Sequence, residues 1–254
     1  METITIHNKK GGVGKSTTTQ CMAAALRKLG KNVLVIDCDS QRNTSDAYNA
    51  LGNKRCLTIF DFFSERCDLD EAIQHTGMGD IIISDKHLPA AFGWISDSKD
   101  GVLCLKNALD SIRNIYDYVL IDTNMAHDLI TECAIIASDK VVIPVDDSTY
   151  SMQGIIAVAQ KIKELNTKYH LSIEIGGILR IKYRANYQSW KTYDELYSSL
   201  ASNPDINTKV YHTVIPSGTI VSKAQLAKKS VNDFDSRSTV AVAYKEFAEE
   251  FISA

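Results

Sequence analysis

Lys9-Lys10-Gly11-Gly12-Val13-Gly14-Lys15-Ser16-Thr17-Thr18-Thr19 follows the alternating run Thr3-Ile4-Thr5-Ile6 and leads into Thr18 to Leu29, which reads as a helix closed by Gly30. A strand, a glycine-rich turn and a helix in that order form a cradle for phosphate. The glycines let backbone N–H groups converge on an anion with no Cβ in the way, and the helix turns its positive N-terminal end to the same point. Lys15 would meet the β- and γ-phosphates of a nucleotide, and the Ser16 hydroxyl would ligate Mg2+. The general pattern GxxxxGK[ST] asks for glycine where Lys9 stands, so this loop departs from it at one end.

Outward from the loop, Val33-Leu34-Val35-Ile36 is wholly apolar and ends on Asp37, the pattern of a strand buried on both faces. The cycle returns at Ile81 to Ile83, at Tyr118 to Ile121 ending on Asp122, at Val141 to Val145, at Ile173 to Ile181 and at Val210 to Ile215. Helical stretches fall near Leu103 to Ile115, Ile155 to Leu165, Trp190 to Leu200 and Val240 to Phe251. Strands alternating with helices predict an α/β fold, a mostly parallel twisted sheet with helices on both faces. No linker or repeat interrupts the chain, so one domain over residues 1–254 is expected. Ligands of such a sheet bind beyond the carboxyl ends of its strands. Asp37 and Asp39 lie two apart on an extended segment and so share a face.

Of the 254 residues, 44% are hydrophobic and 23% charged, enough to bury a core without disulfide or metal support. No apolar run approaches the roughly 18 to 20 residues that span a bilayer. Met1-Glu2-Thr3-Ile4 lacks a basic segment followed by an apolar one, so the expected place is the cytoplasm. The six cysteines form no CxxC pair, and reduced, mostly buried thiols are expected. The net charge of −3 is uneven. Residues 1–150 carry 15 basic against 21 acidic groups, whereas eight basic residues face three acidic ones between Arg180 and Lys229. Such a stretch is either a nucleic-acid footprint or a solvated surface.

Lys10 separates families. With it, the loop closely resembles the deviant Walker A motif KGGVGK[ST] of the ParA/MinD group of P-loop ATPases, and the resemblance runs over essentially the whole chain. It implies a P-loop NTPase fold that binds ATP and Mg2+ and hydrolyses the nucleotide. Lys10 would cross a homodimer interface to the partner's ATP. Lys10, Gly11, Gly12, Val13, Gly14, Lys15, Ser16 and Thr17 would hold the nucleotide. Asp37-Cys38-Asp39-Ser40-Gln41 resembles the family's Asp-x-Asp-Pro-Gln, with Ser40 for proline. Asp39 would then position the attacking water, making Lys10, Lys15 and Asp39 the catalytic set. Asp122 would be the Walker B carboxylate, with Ser16 and Asp37 near the metal. Thr123-Asn124-Met125 replaces the usual paired prolines, which leaves that loop's shape open. Pro144-Val145, Ser151-Met152-Gln153-Gly154 and Thr213-Val214-Ile215-Pro216 continue the likeness. Pro216 would pack beside adenine, and Arg180 would lie near the base.

Within that group the resemblance favours a partition ATPase, which segregates plasmids or chromosomes. Such a protein binds double-stranded DNA nonspecifically as an ATP dimer and meets a centromere-binding ParB-like partner; it would sit in the cytoplasm, against the nucleoid. Relatives carry a DNA-binding arginine where Ile220 stands, so Lys223, Lys228 or Lys229 would have to substitute. A MinD-like membrane switch would end in a basic amphipathic helix. Here Tyr244, Phe247, Ala248 and Phe251 form the apolar stripe and the polar face is acidic, which fits core packing and no membrane contact. A metabolic or redox enzyme of the same fold is the other alternative, although Cys133 lies in an apolar helical setting rather than an exposed turn.

Overall fold

The computed structural model describes residues 1–48, 56–126, 128–184 and 188–253; its central strands are buried almost end to end, and their side chains alternate between two cores. The strands are β1 (Glu2–Ile6), β2 (Val33–Cys38), β3 (Gln74–Thr76), β4 (Gly79–Ile82), β5 (Tyr118–Thr123), β6 (Lys140–Val145), β7 (Glu174–Tyr183) and β8 (Val210–Pro216). Ile4 and Ile6, Val33 and Val35, Leu120, Val142 and Leu179 enter one core, beneath the helices Lys15–Lys28 and Thr239–Ile252. The intervening residues face the other way. Leu34, Ile36, Val119 and Ile121 pack on the helix Leu129–Ala137, and Val141, Ile143 and Val145 pack on the helix Thr149–Tyr169. Period two in the strands therefore builds two apolar layers from one sheet.

The strands lie in the order β3-β4-β2-β5-β1-β6-β7-β8, all parallel except the β3–β4 pair. The chain leaves β1 toward β2 on one side and later returns to β6 on the other. β1 is thus the topological switch point, and the crevice at its carboxyl end is where a parallel sheet offers a ligand site. The glycine loop is the segment that fills it.

The predicted parallel sheet with helices on both faces is what the protein forms. The expected helix near Leu103 to Ile115 is instead a short α-helix, Cys104–Ala108, between 3-10 turns at Gly101–Leu103 and Leu109–Ile112. Leu105, Leu109 and Ile112 still keep the buried helical spacing, so the apolar pattern survives while the turns tighten. The helix Thr149–Tyr169 starts earlier than its apolar stripe because the Ser148 side chain caps it, accepting from the Ser151 N–H. As expected, Tyr244, Phe247, Ala248 and Phe251 are buried in the last helix. Cys21, Cys38 and Cys133 are buried thiols. Among the described residues, no helix is long and apolar enough to cross a membrane.

Candidate active site

Gly12 and Gly14 take φ values of +67° and +88°, which a Cβ would oppose, and they turn the chain from β1 into the helix Lys15–Lys28. That helix has no acidic residue in its first turn, so its positive end is left for an external anion. A cleft of about 1040 Å3 opens over it. Gly11, Gly12, Gly14, Lys15, Ser16, Thr17, Asp39 and Pro216 are among the residues that line it. Val13 does not line it; its side chain is buried in the core below. The Lys15 ammonium donates to the carbonyls of Asn8 at 3.2 Å and Lys10 at 3.1 Å. Burial holds its pKa below the ordinary lysine value, against the opposing pull of Asp122 and Asp39.

Lys10 turns elsewhere. Its ammonium donates to both Asp146 carboxylate oxygens, at 2.6 and 2.5 Å, and to Ser148 Oγ at 2.9 Å. Tyr197 holds this acceptor from behind by donating its hydroxyl to the Asp146 carbonyl. The start of the loop is fixed by Asn8, whose Oδ1 accepts from the Lys10 N–H at 2.9 Å and whose Nδ2 donates to the Pro144 carbonyl at 2.8 Å. Gly154 makes room for it, since a Cβ there would stand 2.0 Å from Asn8 Oδ1.

Asp37 and Asp122 are register partners on β2 and β5, and both are fully buried. Asp37 Oδ2 accepts from the Ser45 N–H at 2.7 Å and the Ser45 hydroxyl at 2.6 Å, and its Oδ1 accepts from the Asp39 N–H at 3.0 Å. Burial raises its pKa to about 6 in spite of these donors. Asp122 is pushed up to about 7, by burial first and by Asp37 second. Its Oδ2 accepts from the Thr44 hydroxyl at 2.7 Å, while its Oδ1 is buried without a hydrogen-bond partner. An orphaned carboxylate oxygen close to Ser16 is what a metal-bound water would satisfy. Among the described residues no group of three His, Cys, Asp or Glu side chains could hold a metal unaided. That suits Mg2+, which keeps waters and shares its shell with phosphate oxygens. The donors present therefore fit the ion. Asp39 sits higher, on the wall of the cleft, and its Oδ1 also accepts from the Gln41 N–H at 2.9 Å.

Of the two expected neighbours of the base, Pro216 lines the cleft and Arg180 does not. Arg180 alternates to the opposite side of β7 from Leu179 and Ile181, where it pairs with Asp194 at 3.0 Å and donates to the Tyr211 carbonyl at 2.8 Å. Its place near the base is corrected accordingly: it ties β7 to its surroundings. Of the three lysines expected at DNA, Lys223 and Lys229 are exposed clear of the cleft, and Lys228 lines it. In place of the paired prolines, Asn124 shapes its loop by accepting from the Ala126 N–H at 2.7 Å and donating to Asp128 Oδ2 at 3.0 Å. Met125, 58% exposed, lies over Gly11, its Sδ 2.9 Å from where a Gly11 Cβ would be. Asn8, Thr44, Ser45, Asp146 and Ser148 were not foreseen. Gly154 belongs to the family-like segment Ser151-Met152-Gln153-Gly154, and its missing side chain leaves the space that Asn8 fills.

A glycine loop at the switch point of a parallel sheet, with a buried lysine and two strand-end carboxylates, defines a P-loop nucleotide-binding protein. The comparisons agree. A family model described as an AAA domain matches residues 1–175. The chain is 30% identical over 258 residues to the chromosome partitioning protein ParA of Caulobacter vibrioides, covering 100% of this chain and 94% of the relative. It is 30% identical to the sporulation initiation inhibitor protein Soj of Bacillus subtilis, covering 97% and 96%. In fold it is similar to McdA from Cyanothece, solved as a complex with ATP, with a TM-score of 0.86 at 19% identity over 100% of this chain and 96% of that one. The chain belongs to the ParA/Soj family of P-loop ATPases. It is an ATPase, with ATP as substrate.

Proposed function

We propose that the chain, acting as one domain, is a partition ATPase. Loaded with ATP it would pair with a second copy, hold double-stranded DNA without sequence preference, and respond to a centromere-binding ParB-like protein in the cytoplasm. The observation behind this is Lys10. A lysine in the phosphate loop that is held aside by Asp146 and Ser148, not over its own cradle, suits a cation destined for a neighbour's phosphates.

Lys15 and the loop N–H groups would neutralise and orient the β- and γ-phosphates, and Thr17 would extend that cradle. Asp39 would align the attacking water, because phosphoryl transfer needs placed charge and an oriented nucleophile more than covalent help. Ser16, with Asp122 through water, would hold Mg2+, and Asp37 would keep the Asp39 turn in place. When bound, the ion supplies positive charge against the phosphate oxygens. Pro216 would pack on the base.

Lys223 and Lys229 would meet DNA phosphates, while Lys228 would serve the rim of the cleft. An anisotropy titration on random duplex, with ATP and with ADP at two salt concentrations, tests this. Binding should appear only with ATP and fall log-linearly with salt. Lys223→Glu with Lys229→Glu should weaken it and flatten the slope, by roughly 0.9 per lost contact. ATP binding should be kept. No binding with ATP at low salt would remove DNA from the account and leave an ATPase that positions another cargo.

A further inference from the structure

Strict alternation along β7 would put Lys182 on the face of Arg180, away from the phosphate loop, and Ile181 on the loop's side. Both reach the loop instead. Ile181 lies so close that a Cβ on Gly14 would come within 2.7 Å of its Cδ1. The Lys182 ammonium donates to the Gly12 carbonyl at 2.6 Å. The backbone accounts for the change of side. The register against β8 shifts between Arg180 and Tyr183, and Lys182 adopts a left-handed φ of +57°. A shift of this kind re-aims a side chain, and a non-glycine residue holds such a conformation where its surroundings over-determine it.

We propose that Lys182 is a positioning residue for ATP, tying the Gly12 carbonyl to β7 so that the glycine loop keeps its phosphate-binding shape. Lys182 and Gly12 both line the cleft, and the bond between them spans 170 residues of chain. A loop set before the charge arrives needs no reorganisation when phosphate enters. The role deepens the reading of this cleft as an ATP site and rests on it.

The test uses the full-length protein and two variants. Lys182→Asn removes the ammonium but tolerates the left-handed backbone; Lys182→Arg restores a cation. A fluorescent ATP analogue gives Kd, phosphate release gives kcat and KM, and a melt without nucleotide monitors the fold. The expected result for Lys182→Asn is an unchanged melt, a Kd about tenfold higher and a matching fall in kcat/KM. Lys182→Arg should recover most of both. Wild-type affinity and turnover in Lys182→Asn would overturn the proposal, and so would a loss that arginine fails to recover or that comes with a lowered melt. Lys15→Ala separates the two levels. If it still binds the analogue, the ATP site itself is misplaced; if it does not bind while Lys182→Asn binds normally, only the role of Lys182 falls.

Discussion

Asp122→Asn should stabilise the nucleotide-free protein above neutral pH while removing the carboxylate proposed to hold Mg2+ through water. Asp122 and Asp37 stand side by side, fully buried, with pKa values pushed up to about 7 and about 6. Folding therefore favours their protonated forms. Their contribution to stability is complete below the ordinary carboxylate value of 3.8, and it is lost as pH rises through about 6 and then about 7. At about 1.4 kcal/mol per pH unit, keeping Asp122 ionised at pH 8 costs the fold about 4 kcal/mol. Between pH 5.5 and pH 8 the pair together should lose about 3 kcal/mol. For a chain of this length that is a fall of about 6 °C or more in melting midpoint. An asparagine can still accept from Thr44 but cannot ionise. The variant should melt about 8 °C or more above wild type at pH 8 and lose most of the pH slope. The assay is a thermal melt by circular dichroism with chelator and no nucleotide, from pH 5.5 to pH 8. A flat wild-type profile would refute the reasoning, as would a variant that melts lower than wild type at pH 8.

Two further predictions concern the loop. Gly154→Ala drives a Cβ into Asn8, which is fixed at both ends of its amide; a loss of about 2 kcal/mol in a urea titration is expected, with weakened ATP-dependent assembly, and no change in either would contradict the packing described. Asp39→Ala should keep ATP affinity in an equilibrium titration and lose phosphate release, because orienting water matters only for the chemical step. An equal loss of binding would mean that Asp39 holds the nucleotide instead.

The sheet was legible because strands such as β2 and β5 carry apolar runs that end on chemistry: Ile36 runs into Asp37, Ile121 into Asp122. β3 was not legible, since Gln74-His75-Thr76 is a polar, short edge strand with no buried face for periodicity to register. In the site, the phosphate loop could be read from its glycines between a strand and a helix, while the roles expected of Asp37, Asp39 and Asp122 came from the family resemblance. Arg180 was misplaced because the sequence gives a strand's alternation but not which face meets the cleft. Thr44, Ser45 and Asp146 escaped because their contacts with Asp122, Asp37 and Lys10 span 78, 8 and 136 residues, and common residue types carry no local signal for such pairings. Lys182 was unreadable for a further reason: a register shift and a left-handed residue reverse the side that alternation assigns it.

Sedimentation velocity of the Asp39→Ala protein, in ATP and in ADP with Mg2+, tests the central proposal most directly. With hydrolysis blocked, ATP should give a dimer and ADP a monomer. Adding Lys10→Ala should return the ATP form to monomer while leaving much of its nucleotide affinity, since Lys10 is held by Asp146 and Ser148 outside its own cradle. A protein that binds ATP tightly yet sediments as a monomer, or a dimer indifferent to Lys10, would contradict the shared-site account.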